Sequence, residues 1–299
     1  MKWTKLGRIY VPEGDLSWAK AYAANPLAEH VENDLFRVYF SARDAENRSS
    51  IGFIEIDIRY PTKILRRPET PILTPGELAM FDDSGASIGC IVPVRSKRYL
   101  YYMGWHLTVR VPWQNALGLA ISDGVAPFRR HSHFPVVELN ELDPYTISYP
   151  WVSLDDGMFR MWYGSNIAWG PKKEDMRHLI KYATSQDGIH WVRQDSVAIG
   201  FSGVEEYAIC KPCVRRDQDL YRMWFCARGK AYRIYAAESD DGISWHRTAD
   251  PALDVSDQGW DSEMVEYPFV FDHKGDRYML YAGNGFGKTG FGLAILEKS

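Results

Sequence analysis

Several acidic side chains stand directly ahead of apolar strands, where water is scarce. Glu266 precedes Pro268 by two residues and opens the run Glu266-Tyr-Pro-Phe-Val-Phe. Glu205-Glu206-Tyr207, Asp82-Asp83 and Glu263 hold comparable places ahead of other strands. A buried acid is costly unless it is hydrogen-bonded or used. Burial also raises a carboxyl pKa, so Glu266 is the expected proton donor, with Glu206 or Asp83 as its partner. Basic residues accompany these acids: Arg43, Arg48, His106, Lys211 and Arg228. Such a set suits an anionic ligand, because charge-assisted hydrogen bonds to carboxylate or phosphate are strong. His106, His178 and Asp83 have no spacing that demands a metal ion, so neither a metal nor another cofactor is expected.

The elements that must position these residues are written five times. A proline or glycine leads into an apolar strand, then a polar turn, then an aromatic strand. Asn25-Pro26 leads to Phe36-Arg-Val-Tyr39-Phe40, and Gly89-Cys90 leads to Tyr99-Leu-Tyr101-Tyr102. Tyr149-Pro150 leads to Phe159-Arg-Met-Trp162-Tyr163, and Lys211-Pro212 leads to Tyr221-Arg-Met-Trp224-Phe225. Tyr267-Pro268 leads to Tyr278-Met-Leu-Tyr281. The anchors Tyr39, Tyr101, Trp162, Trp224 and Tyr281 are 62, 61, 62 and 57 residues apart. A fixed period of this size marks a repeat architecture. A third apolar segment follows each anchor, and some repeats close with Asp-Gly turns, as in Ser185-Gln-Asp-Gly-Ile-His-Trp191 and Ser239-Asp-Asp-Gly-Ile-Ser-Trp245. Asp-Gly between apolar runs is a hairpin signal. The expectation is an all-β fold: a five-bladed β-propeller with four antiparallel strands per blade, forming one domain over residues 1–299. Trp3-Thr-Lys-Leu-Gly-Arg-Ile-Tyr10 is expected to close the last blade.

In such a ring the innermost strands surround an axis, and function sits on the loops at one face. The expected binding residues are those beside inner strands or just past second strands. They are Asn25, Arg43, Asp44 and Arg48 from the first repeat, and Trp105 and His106 from the second. Lys211 and Arg228 come from the fourth and Glu263 from the fifth. Trp105 and Trp113 could stack on a sugar face. The glycines at 283, 285, 287 and 290 let the last loop turn tightly, but no helix follows to cap a phosphate.

Bulk properties narrow the partners. A net charge of −4 argues against a nucleic-acid surface, which needs a basic stripe. No run approaches the roughly 20 apolar residues that span a bilayer. Met1-Lys-Trp-Thr-Lys is followed by no apolar run, so a cytoplasmic location is expected. Cys210 and Cys213 form the one Cys-x-x-Cys, beside Cys90 and Cys226; reduced, buried thiols are expected.

The five repeats, the x-Pro strand starts and the Ser-x-Asp-Gly-Ile-x-Trp hairpins resemble the propeller glycosidases, the group holding glycoside hydrolase families 32, 43, 62, 117 and 130. The resemblance covers nearly the whole chain. It implies a carbohydrate substrate and cleavage of a glycosidic bond in an axial pocket, by one acid and one base or nucleophile. The three carboxylates of the family 43 pattern fall on Asn25, Tyr149 and Cys210, so that mechanism does not transfer. Glu266 alone keeps the general-acid spacing, in the fifth repeat. A phosphorylase using one acid and a basic phosphate cradle, and a propeller that binds glycan or protein without turnover, are the alternatives.

Overall fold

The computed structural model describes residues 2–298. Its strands form two eight-stranded sheets and one four-stranded sheet. Each eight-stranded sheet is joined at one parallel contact, Ser49 with Gly85 in one and His178 with Ala208 in the other. Every other neighbouring pair is antiparallel, so the described residues resolve into five four-stranded meanders. The first is β2 (Ala21–Glu32), β3 (Leu35–Arg43), β4 (Ser49–Asp57) and β5 (Ile64–Arg66). The second is β6 (Gly85–Val94), β7 (Lys97–Leu107), β8 (Trp113–Asp123) and β9 (Arg129–Arg130). The third is β10 (Ile147–Asp155), β11 (Met158–Ala168), β12 (Arg177–Ser185) and β13 (Val192–Ile199). The fourth is β14 (Ala208–Asp217), β15 (Leu220–Arg228), β16 (Tyr232–Ser239) and β17 (His246–Arg247). The fifth is β18 (Glu266–His273), β19 (Asp276–Ala282) and β20 (Phe291–Leu296), with β1 (Trp3–Tyr10) along β20 as its fourth strand.

The x-Pro signature has a structural cause. Proline has no N–H for the ladder, so a strand that contains it must bulge. The pairing register slips at this point in β2, β10, β14 and β18, and at Gly89 in β6. The residue before each proline is left-handed: Asn25 (φ 54°), Tyr149 (48°), Lys211 (52°) and Tyr267 (58°). Bulges of this kind re-aim side chains beside functional sites. At Gly89 a Cβ would lie 2.6 Å from the Pro150 carbonyl oxygen, so only glycine lets the strands approach this closely.

Opposite the bulges stands a row of buried aromatics: Phe40, Tyr102, Tyr163, Phe225 and Tyr281. Tyr281 therefore belongs with Tyr163 and Phe225. The fifth counterpart of Trp162 and Trp224 is Leu280, paired with Phe269 just after Pro268. Four of the meanders, the second to the fifth, are also pinned from the outer strand to the leading loop. Asp82 accepts from Tyr102 Oη (3.0 Å) and Arg130 Nε on β9 (2.8 Å). Asp143 accepts from Tyr163 Oη (2.8 Å) and Arg193 on β13 (2.9 Å). Asp261 accepts from Tyr281 Oη (3.0 Å) and Lys5 on β1 (2.7 Å). Glu206 does the same with Arg247 on β17 through two 2.8 Å bonds, the guanidinium lying 5.0 Å over the Phe225 ring. Neighbouring meanders lock through outer turns: Tyr101 Oη donates to Gly188 O and Trp162 Nε1 to Gly242 O, both at 2.8 Å.

Candidate functional site

Where the inner strands converge, the chain encloses a cavity of about 470 Å³. Its walls follow from the repeat. Residues at or within two positions of the end of a second strand face the first residues of the third at the cavity: Arg43 with Ser49, Trp105 with Asn115, Asn166 with His178, and Arg228 with Tyr232. In the fifth meander the matching pair is apolar, Ala282 with Phe291. The bulged residues Asn25, Tyr149 and Tyr267 also line the cavity, and the two phenol oxygens lie 3.3 Å apart. Trp113 and Trp169 form part of the lining, their ring centroids 5.1 Å apart, with Lys173 Nζ 5.8 Å over the Trp113 ring; Phe286 lines the cavity beside Tyr232.

Two guanidinium groups face this space with no carboxylate partner among the described residues. Arg43 donates to Asn47 O at 2.7 Å and lies 4.5 Å over the Trp105 ring. Burial lowers its pKa, partly offset by the phenols of Tyr267, Tyr22 and Tyr149. Arg228 packs among the rings of Tyr232 (5.3 Å), Tyr207 (5.5 Å) and Phe286 (6.0 Å), and its buried Nε has no partner.

Glu266 lies behind this wall. It is fully buried, and neither carboxyl oxygen has a hydrogen-bond partner. Burial pushes its pKa well above the ordinary carboxylate value; the Cys210 thiol adds to the rise and Arg228 opposes it. The cavity-lining phenols Tyr149, Tyr232 and Tyr267 all feel its charge. The carboxyl itself does not line the cavity, so burial is deeper than the sequence implies.

Of the other expected residues, Asn25, Arg43, Trp105 and Arg228 line the cavity. Trp105 is packed in the wall, donating Nε1–H to Ser49 Oγ at 2.7 Å under Arg43, so its faces are not open for stacking. Glu206 is turned to the outside by Arg247 and does not reach the cavity; its placement is that of a sheet pin. Asp83 closes its own loop by accepting from Ala79 N (3.1 Å) and Ser84 Oγ (2.9 Å). Asp44 turns back to accept from the N–H groups of Glu46 and Arg48 and from Arg48 Nε, which takes both Asp44 and Arg48 out of the lining. His106 packs with Nδ1 3.4 Å from Phe81 O, and Glu263 is exposed; neither lines the cavity. Lys211 is buried below the lining and donates to Gly89 O at 2.8 Å, its pKa lowered by burial. Tyr22, Asn115, Tyr149, Asn166, His178, Tyr232 and Tyr267 also line the cavity, although the sequence assigns none of them a binding role. Aligning the repeats on the ends of their second strands would find most of them.

Comparison with known proteins follows this geometry. No family model matches the chain. The uncharacterized protein MT1551 of Mycobacterium tuberculosis (strain CDC 1551) is 56% identical over 298 residues, 99% of this chain and all of that one. Uncharacterized protein Rv1502 of strain H37Rv is 55% identical over the same length and coverage. Among solved structures, the complex of BT0996 and RGII superposes with a TM-score of 0.77 at 15% identity, covering 99% of this chain and 91% of that one. A structure from the GH130 family of mannoside phosphorylases, which contains glycoside hydrolases that target beta-1,2 mannosidic linkages in Candida mannan, gives 0.70 at 15%, covering 99% and 93%. Bombyx mori GH32 beta-fructofuranosidase BmSUC1 gives 0.64 at 13%, covering 97% and 61%. At these identities the likeness shows the fold, which is that of the propeller glycosidases.

Proposed function

The chain belongs to one family with these two mycobacterial proteins, and from its fold and cavity we propose that it is a carbohydrate-active enzyme that cleaves a glycosidic bond. The five meanders are then the blades of a single five-bladed propeller domain over residues 1–299, with the bond held at its axis. One observation carries this reading. Glu266 is a buried carboxyl with no partner on either oxygen, bordering phenols that line the cavity. Burial raises the pKa of such a group and so favours its protonated form, which is the state a general acid needs. No hydrogen bond joins Glu266 to the phenols of Tyr267 and Tyr149, so its proton passes toward the saccharide once the carboxyl or a phenol turns to make one.

Arg43 and Arg228 support an anionic substrate, carrying a carboxylate or a phosphate. A guanidinium without a carboxylate partner beside a cavity is a natural donor to such a group. Trp113 and Trp169 are placed to pack on the sugar ring. We place the enzyme in the cytoplasm, where its four free cysteines stay reduced.

The test is turnover of neutral and acidic aryl glycosides, with and without phosphate. Glu266→Gln should lower kcat by about 10²–10⁴-fold, the range of general acid catalysis. A mutant as active as wild type would remove Glu266 from the mechanism. Phosphorolysis is the second reading. It is favoured because Glu174, exposed, is the one carboxylate lining the cavity among the described residues, and phosphate held by Arg43 and Arg228 would serve as the nucleophile. Tight binding of an acidic saccharide with no turnover would instead mark a glycan-binding propeller.

A further inference from the structure

Hydrolysis needs a second group, to take the proton of the attacking water. Neither Glu206 nor Asp83 reaches the cavity, and Glu174 is exposed. The cavity wall does carry a base of another kind. His178 is the second residue of β12, opposite Asn166, and the residue is 4% exposed. Its Nδ1 lies 2.8 Å from the Ile209 carbonyl oxygen on β14. A carbonyl can only accept, so Nδ1 carries the hydrogen and Nε2 carries the lone pair. No described protein group bonds Nε2, and the residue lines the cavity.

Resting on the hydrolytic reading above, we propose that His178 is the general base that activates water in this site. Its surroundings suit that task. Burial, together with the Arg228 charge, holds its pKa down at about 4 in spite of the Nδ1 bond to Ile209. The imidazole is therefore neutral at physiological pH and about as basic as an ordinary carboxylate. Arg228 on β15 is the charge that acts on it; Arg177, next to it on β12, lies over the Tyr207 ring at 5.9 Å. The Arg228 charge also acts on Glu266, so it disfavours a proton on the base while favouring its loss from the acid.

The step balances. The water oxygen bonds to the anomeric carbon, and its proton passes to Nε2 of His178. The glycosidic C–O bond breaks with its electron pair on the leaving oxygen, which takes the proton that Glu266 gives up once a phenol turns to bridge the two. His178 is left as imidazolium and Glu266 as carboxylate, and solvent returns the proton from one to the other. Direct attack by water inverts the anomeric centre.

The decisive experiment uses full-length protein and an aryl glycoside turned over without phosphate. His178→Gln should lower kcat by about 10²–10⁴-fold with KM nearly unchanged. It should also abolish the acidic limb of the pH profile near pH 4. Azide should restore turnover and give the glycosyl azide of inverted configuration, which a merely structural histidine would not allow. A variant with wild-type kcat, an unrescued variant, or a strict phosphate requirement in the wild type overturns the assignment. Loss of activity in Glu266→Gln but not in His178→Gln sinks the base and leaves glycosidic cleavage standing; a silent wild type sinks both. Nitrogen-15 spectra of the wild type provide a second readout that does not depend on the variant folding. They should show the neutral Nδ1–H tautomer from pH 8 down to pH 5, and a ring protonated at pH 6 overturns the proposal.

Discussion

Glu266 contributes to the fold in a way that depends on pH. Its pKa in the folded chain stands well above its ordinary value, because burial penalises the carboxylate. Above the ordinary carboxylate range the folded state therefore holds a proton that the unfolded chain has released. The native state binds more protons there, so stability falls as pH rises through that window. Glu266→Gln keeps the shape and removes the titration. In urea unfolding at pH 5 and pH 8, the mutant should gain on wild type between the two; a constant difference would mean that the carboxyl is solvated or paired. The arginines make a separate prediction. If Arg43 and Arg228 each make a charge-assisted bond to the ligand, worth about 1.5–3 kcal/mol, each Ala variant weakens an acidic saccharide by about 10–150-fold. Calorimetry on a neutral analogue should show little change, and equal losses on both ligands would argue for a packing role.

At the scale of the element, two devices recur: the pre-proline bulge that aims a side chain at the cavity, and the acid that pins the outer strand in four of the five meanders. Glu206 belongs to the second, so its removal should act on stability. Glu206→Ala strands a half-buried Arg247, and breaking a buried pair costs about 3–5 kcal/mol. The expected result is a lower urea midpoint with the pH profile of turnover unaltered; a shifted profile would return Glu206 to the chemistry. The bulges are legible in the chain because proline and glycine announce them. The pins are not. Asp82 and Asp83 are adjacent, yet one is buried on Tyr102 and Arg130 while the other closes a loop, and only the folded loop decides which. The period likewise marks buried rows without their phase, which is why spacing alone sets Tyr281 beside Trp224 when it belongs beside Phe225. His178 is weighed in the sequence only as a metal ligand, because its strand partner Asn166 lies across a loop that spaces the two much further apart in sequence than Arg228 and Tyr232.

The whole molecule joins its two ends, and that seam is where cooperativity can be tested. β1 pairs along β20, and Lys5 reaches from it to Asp261. A second contact joins the first meander to the fifth: Asp34 accepts from His273 Nε2 at 2.8 Å and from Lys274 at 2.6 Å, beside Phe36 and Phe271 with ring centroids 5.2 Å apart. Hydrogen bonds from His273 and Lys274 hold the Asp34 pKa down at about 2. A carboxylate depressed in this way stabilises the fold fully above its unfolded pKa of about 4, and that stabilisation is lost as pH falls through the folded value. Asp34→Asn should therefore lower the urea midpoint at pH 6, and the gap to wild type should narrow by pH 3. If closing the ring makes the meanders one cooperative unit, tryptophan fluorescence and far-UV circular dichroism will give a single coincident transition in both proteins. Two separated transitions in Asp34→Asn would show that the seam is what couples the first and last meanders. An equal gap at both pH values would show that Asp34 closes nothing.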